Sequence, residues 1–307
     1  MPQSHKIKVA VVQATPVLFD LPGSLEKVAY WLDQARSQGA ELVLFPESFL
    51  PAYPRGLSFG TVVGQRKDRG RSLWELYWQN SIEAQDPYAQ QLGQLAKKNN
   101  TYLVIGVTER DPHNYSLYCS VFYFHPEGHL MAVHRKLKPT AAERIIWAEG
   151  DGQSLRVHRI AWGKMGSLIC WENYMPLARM SLYQQGIELY LAPTADNRDS
   201  WQHTLKHIAL EGRCFVLGAN QFVRKQDYPA HLQEELQGES DIMSRGGSVI
   251  ISPMGEALAG PLFEQEGILC AELDRSTLIK SKMDLDIMGH YARPDLFQFQ
   301  GPSQEGT

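Results

Sequence analysis

The chain has 307 residues, 43% of them hydrophobic and 21% charged, the balance of a folded protein with a sizeable core rather than of a disordered one. A formal net charge of -4 gives no electrostatic case for nucleic acid or an anionic membrane surface, since both need clustered Lys and Arg. Four cysteines, Cys119, Cys170, Cys214 and Cys270, stand far apart with no CxxC pair, so neither a zinc knuckle nor a disulfide framework is indicated and a reducing, cytoplasmic setting is expected.

The N-terminus lacks an apolar signal-like stretch, and no apolar run approaches the ~20 residues of a membrane span. No Pro/Gly/Ser-rich linker divides the chain, which predicts one domain over residues 1–300 and a short, polar, disordered tail over 301–307. Ile7–Gln13 is a β-branched strand pattern. Pro22-Gly23-Ser24 then opens a helical period with Leu25, Val28, Leu32 and Ala35 on one face, stopped by Gly39. Glu41–Glu47 reads as a buried strand whose apolar run is broken by Pro46 and then a carboxylate. Residues 51–72, rich in Tyr, Pro, Gly and Arg, read as a long loop, and the basic run Arg66–Arg71 within it as a solvated segment. Asp86-Pro87 starts a second helix with Asp as N-cap and Pro at the first position. A strand over Tyr102–Val107 follows, then a hairpin of 117–125 and 129–135 around Pro126-Glu127-Gly128 that runs into Lys136.

The second half echoes the first. Gly39–Glu47 (GAELVLFPE) is matched by Gly186–Thr194 (GIELYLAPT), each after an amphipathic helix, so two related βα halves are expected. A helix over 199–212 leads to a strand over Cys214–Ala219, with later strands at Ser248–Ile251 and Gly267–Leu273 around a Pro253-Met254-Gly255 turn. Strands and helices alternate while hairpins also occur, which predicts a layered α/β fold with mixed sheets.

Within Met165–Asn173 the chain is apolar up to Cys170 and polar directly after it. Strand ends of this kind face the ligand crevice in α/β sheets, making Cys170 a candidate nucleophile. An unperturbed thiol is only a few per cent ionised at neutral pH and needs a base or a cation beside it. Glu47 and Lys136, at two other strand ends, supply one of each, Lys136 being expected to lower the thiol pKa. A Cys/His pairing with His207 or His290 is a lesser alternative. His203 and His207 have helical ligand spacing but lack the glutamate of HExxH and a third ligand, so no metal is expected. His125, His129 and His134 flank the hairpin and read as surface or loop residues. Neither GxGxxG nor GxxxxGK[ST] occurs, and no cofactor is expected.

The stretches Phe45-Pro46-Glu47-Ser48, His134–Thr140 (HRKLKPT) with Glu143-Arg144, and Cys170-Trp171-Glu172-Asn173 resemble the nitrilase branch of the carbon-nitrogen hydrolases. The resemblance runs from near Ile7 to near Phe299 and points to the plant-type nitrilases, through Tyr53-Pro54-Arg55-Gly56, Trp147 with Gly150-Asp151-Gly152, Ala192–Asp196 (APTAD), His207–Gly212 and Gly289–Pro294. It implies a four-layer α-β-β-α sandwich. It also implies roles: Cys170 as nucleophile, Glu47 as base, Lys136 as cation, Glu143 as a supporting second carboxylate, the Trp171 backbone N–H as a further donor, and Tyr53, Trp147, Trp171 and Tyr174 as the aromatic wall of a nitrile pocket. From its own context Glu143 also reads as a surface partner of Arg144. A small-molecule nitrile as partner and a homo-oligomer, from dimer up to filament, belong to the same implication, and apolar residues in the C-terminal segment, Tyr291, Leu296, Phe297 and Phe299, are in keeping with it. Compared with the plant-type enzymes, the stretch between Gln226–Pro229 and Gly246-Gly247 is shorter. Two other functions stay open: a nitrile-hydrating or amide-hydrolysing member of the family, for example one acting on β-cyanoalanine, and a catalytically silent oligomeric interaction protein.

Overall fold

The structure is a computed structural model describing residues 5–301. The first half runs β1 (Lys6–Gln13), α1 (Leu21–Ser37), β2 (Leu42–Leu44), a short hairpin of β3 (Thr61–Val62) and β4 (Gln65–Arg66), α2 (Asp68–Gln79), α3 (Pro87–Asn99), β5 (Tyr102–Arg110), β6 (Leu117–Phe124) and β7 (Leu130–Arg135). The second half continues with β8 (His158–Arg159), β9 (Lys164–Ser167), α4 (Pro176–Gln184), β10 (Leu189–Pro193), α5 (Asp199–Gly212), β11 (Phe215–Ala219), β12 (Phe222–Arg224), β13 (Ile242–Ile251), β14 (Ala257–Phe263), β15 (Gly267–Asp274) and α6 (Arg275–Ser281). Short 3-10 turns at Ala141–Ile145 and Cys170–Tyr174 interrupt this alternation.

Two mixed sheets result. One has the order β15-β1-β2-β5-β6-β7; the other has β12-β13-β11-β10-β9-β8, with β14 also paired to β13. Strand periodicity sorts their side chains into three cores. Val9 and Val11 of β1 join Leu42, Leu44 and Val104, together with Met165, Leu189, Leu191, Phe215 and Leu217 of the other sheet, in a core between the sheets. Ala10, Val12 and Val43 instead meet Leu25, Val28 and Leu32 of α1 and Leu92 of α3. Tyr190 and Ala192 of β10 meet Leu182 of α4 and Leu205 and Ile208 of α5. Helices therefore cover the outer face of each sheet, and the layers are α-β-β-α as expected. Gln13, fully buried, ties the sheets together by accepting the N–H groups of Gly247 and Ser248, each at 3.0 Å.

The two halves repeat down to individual hydrogen bonds. Gly39 and Gly186 both take positive φ (78° and 75°) ahead of their strands. The Glu41 carboxylate accepts the Lys8 N–H at 3.1 Å, as the Glu188 carboxylate accepts the Lys164 N–H at 2.9 Å. Leu42 and Leu44 pair with Tyr102 and Val104, just as Leu189 and Leu191 pair with Phe215 and Leu217. Pro46-Glu47 and Pro193-Thr194 thus leave equivalent strands at equivalent points.

The elements depart from the sequence reading in two places. Residues 51–72 are not all loop, because α2 begins at Asp68 inside the basic run, where Arg69 pairs with Glu234 (3.3 Å) and Glu235 (3.5 Å). The apolar pair Leu73 and Tyr77, four apart and buried, carries that helix, while Gly70 and the surrounding charges mask its start. Second, β13 begins at Ile242 rather than at Ser248, and β14 was not anticipated. Gly246 and Gly247 within β13 both have positive φ (87° and 114°), and the register with β14 shifts there, the signature of a bulge inside a strand. Of the expected disordered tail over 301–307, all but Gly301 lies outside the described residues.

Candidate active site

Each of the four titratable residues singled out above sits just beyond the end of a strand, or in the turn after one, and the fold brings the four together. Lys136 follows β7, its N–H donating to the Cys119 carbonyl at 2.8 Å and its own carbonyl accepting from Gly150 at 2.9 Å. The Lys136 ammonium bonds Glu47 Oε1 and Glu143 Oε2, each at 2.7 Å. Glu47, Lys136, Glu143 and Cys170 are 1%, 0%, 8% and 4% exposed, so this is a buried ionic cluster and Glu143 is not a surface partner of Arg144. The Glu143 carboxylate also accepts the Thr140 N–H at 2.6 Å, and the Tyr53 hydroxyl donates to its second oxygen at 2.8 Å.

Glu47 is held on all sides. Lys136 binds Oε1, the Ala195 N–H donates to Oε2 at 2.8 Å, and the Gln221 amide donates to its carbonyl at 2.7 Å. Gly106 of β5 makes room for that backbone, since a Cβ there would fall 2.6 Å from the Glu47 Cα. The next residue, Ser48, has φ of 45°, and Cys170 has φ of 50°. Two non-glycine residues in the left-handed region beside one cluster mark a turn geometry enforced from outside. The Cys170 sulfur receives the Thr194 hydroxyl at 3.1 Å.

Burial lifts the Glu47 pKa, opposed by Lys136 and reinforced by the nearby Glu143 charge. Burial also works against charge on Lys136, but attraction from Glu47 and its neighbours outweighs it and holds the ammonium pKa well above its usual value. The Cys170 thiol is pushed up, first by burial and then by Glu47, with Lys136 pulling the other way. Lys136 therefore acts in the expected direction without outweighing burial and Glu47, and the net effect favours the protonated thiol.

The aromatic residues divide into two groups. Trp147 is buried behind the cluster, 5.7 Å from the Tyr53 ring and 5.9 Å from the Lys136 nitrogen. Trp171 and Tyr174 are both 41% exposed and meet edge to face at 5.6 Å. The Trp171 indole N–H donates to Asp196 at 2.8 Å, and Arg198 lies 4.8 Å over its ring.

Two residues near the cluster carry more than the sequence reading gave them. Glu172, 1% exposed, accepts the N–H of Ile169 (2.5 Å), the N–H of Leu137 (2.6 Å) and a His134 ring nitrogen (3.1 Å). It joins the Cys170 turn to the segment that follows Lys136. His134, expected at the surface, is 2% exposed because its ring is enclosed between Glu172 and Ser154. Thr194, with Ala195, is the other: its counterpart position in the repeat, Glu47, was the available signal. Among the described residues one trio has ligand-like spacing, His125, Glu127 and His129, part exposed at the β6–β7 turn and at the opposite end of β7 from Lys136. His207, by contrast, reaches Glu211 at 3.5 Å on the surface of α5.

Residues 8–283 match the carbon-nitrogen hydrolase family model. A bifunctional nitrilase/nitrile hydratase of Nicotiana tabacum is 47% identical over 295 residues, covering 94% of this chain and 84% of that protein. Nitrilase 2 of Arabidopsis thaliana is 46% identical, covering 94% and 87%. An aliphatic nitrilase of Sinorhizobium fredii (strain HH103) is 45% identical, covering 95% and 94%. The fold is shared with a Saccharomyces cerevisiae member of branch 10 of the nitrilase superfamily (TM-score 0.74, 23% identity, 94% of this chain and 97% of that one). It is shared as well with the C. elegans NitFhit protein (TM-score 0.78, 19% identity, 99% and 69%). With a family model over most of its length and nitrilases as relatives across nearly all of it, the chain belongs to the carbon-nitrogen hydrolase family and, within it, to the nitrilases.

Proposed function

We propose that the protein hydrolyses an organic nitrile to the carboxylic acid and ammonia, with Cys170, Glu47, Lys136 and Glu143 as the catalytic group. The observation that carries this reading is the pair of 2.7 Å contacts from one buried ammonium to two carboxylates, in the same cluster as a thiol on a strained turn. Glu47 takes the thiol proton as Cys170 attacks the nitrile carbon, and that proton passes to the nitrile nitrogen to give a thioimidate. Lys136 stabilises the charge growing on nitrogen. Trp171 lies in the first turn of the Cys170–Tyr174 helix, whose leading N–H groups have no acceptor within it, and supplies a second donor. Water activated by Glu47 adds to the thioimidate and ammonia leaves, forming the acyl-thioester. A second water releases the acid and restores the thiol. Collapse of the first tetrahedral adduct by loss of sulfur instead of nitrogen yields the amide, so the acid-to-amide ratio reports how well Lys136 and Glu143 favour the departure of ammonia.

Trp171 and Tyr174 form the exposed part of the substrate wall, and Tyr53 and Trp147 back the reacting groups. The chain acts as one domain over residues 1–300, a reading supported by the pairing of β1 with β15 across nearly its full length. Tyr291, Leu296 and Phe297, 65%, 60% and 77% exposed, are suited to contact between copies in a homo-oligomer. Four free cysteines fit a reducing cytoplasm, and no helix among the described residues is long and apolar enough to cross a membrane.

The test is a panel of arylacetonitriles, aliphatic dinitriles and β-cyanoalanine, with acid, amide and ammonia measured separately for the unaltered protein and Cys170→Ala. The expected result is acid and ammonia from at least one class and none from the variant. Ammonia release by Cys170→Ala overturns the assignment. Failure of every nitrile, together with no Cys170 adduct from a thiol-directed aldehyde, supports the silent interaction protein instead.

A further inference from the structure

Thr194 occupies, in the second half, the position that Glu47 occupies in the first. The match is not only in sequence: the strands before them share register, the glycine turns before those strands share φ, and the glutamates after those turns share a backbone hydrogen bond. One half therefore delivers a carboxylate to the cluster and the other a hydroxyl. We propose that Thr194 is a catalytic residue, its hydroxyl donating to the Cys170 sulfur and holding the thiolate formed when Glu47 takes the proton.

Hydrogen-bond direction carries the argument. The Thr194 oxygen accepts the Asp196 N–H at 2.9 Å and lies 3.1 Å from the Cys170 sulfur. Asp196 engages one lone pair of the hydroxyl oxygen, and in the contact with sulfur the Thr194 hydroxyl is the donor. Thr194 is fully buried, and its β-branched side chain has restricted rotation, so the donor is fixed before substrate arrives. A donor to sulfur favours the ionised form, which this dry site otherwise resists. The same short segment serves the base, since the Ala195 N–H binds Glu47 Oε2 at 2.8 Å. Base and nucleophile are thus registered by adjacent residues of one turn. No proton leaves Thr194 in this scheme; the thiol proton goes to Glu47 and the hydroxyl only shares its own.

This inference rests on the assignment of Cys170 as nucleophile, and the experiment separates the two. Thr194→Val removes the hydroxyl while keeping the branch, and Thr194→Ser keeps the hydroxyl. Alkylation of Cys170 by iodoacetamide, followed across pH by mass spectrometry of the Cys170 peptide, reads the thiolate without nitrile turnover. Thr194→Val is expected to slow alkylation about 10- to 100-fold at neutral pH and to raise the pH midpoint by about 1–2 units, the effect of losing one hydrogen bond to a charged group. It should lower kcat with little change in KM, and Thr194→Ser should restore both readouts. An unchanged pH midpoint in Thr194→Val overturns the proposal, as does an equal loss in both variants with no midpoint shift, which would make the residue a packing element. If circular dichroism shows that Thr194→Val does not fold, Thr194→Ala is read by the same criteria. Nitrile hydrolysis surviving in Cys170→Ala would sink the proposed function; an inactive Cys170→Ala beside an unaffected Thr194→Val would sink only this inference.

Discussion

Replacing Lys136 with methionine tests the buried cluster most directly. The side chain keeps its length and loses its charge, leaving Glu47 and Glu143 without the cation that each now meets at 2.7 Å. Breaking a buried pair by deleting one partner costs about 3–5 kcal/mol, because the remaining charge is stranded away from water. For 307 residues the unfolding entropy is about 0.6 kcal/mol/K, so melting is expected to fall by about 5–8 °C at neutral pH. The sign of the pH dependence follows from linkage. Without Lys136 nothing opposes the burial that lifts the Glu47 pKa above its unfolded value, so the folded state binds more protons and stability falls as pH rises through that window. The deficit of Lys136→Met should therefore shrink near about pH 5 and widen near about pH 8. In the unaltered protein the raised Lys136 pKa contributes stability that is complete below the ordinary lysine range and is lost only above it, leaving that interval flat for this group. Scanning calorimetry at both pH values checks this, with the double variant Lys136→Met/Glu143→Gln expected to recover part of the loss. A melting temperature unchanged by Lys136→Met, or a double variant no better than the single one, would refute the reasoning.

Other outcomes follow from the same geometry. Because burial lifts the Glu47 pKa, the acid limb of kcat/KM should lie above the ordinary glutamate value of about 4.3, with activity lost as pH drops through it; a limb at or below that value in the pH–rate profile would contradict the role of base. Glu172→Ala leaves two backbone N–H groups and one His134 ring nitrogen unpaired at about 1–3 kcal/mol each, so thermal melting should show a larger loss than for Glu172→Gln, which keeps one carbonyl acceptor. Trp171→Phe breaks the 2.8 Å bond to Asp196 at the exposed wall and should raise KM several-fold in steady-state assays with kcat nearly unchanged; the reverse pattern would place its effect on the turn and not on substrate.

The sequence by itself determined the alternation of strands and helices, the repeat of two halves and the residue types that stand at the strand ends of the candidate site. Strand and helix periods are local, and the strand-end positions of Glu47, Lys136 and Cys170 follow from where apolar runs stop. The run Asp86-Pro87 likewise announces its own helix, and the Asp86 carboxylate does accept the Ala89 N–H at 2.8 Å. Tertiary structure decided what depends on residues distant in the chain. The burial of His134 is created by Glu172 and Ser154, and the bulge at Gly246-Gly247 by pairing with a strand that follows it. The start of α2 within charged residues is secured by the approach of Phe59, whose carbonyl would lie 1.9 Å from a Cβ on Gly70. The upward push on the Cys170 thiol depends on the same kind of information, because desolvation is a sum over all surrounding elements and no nearby residue records it.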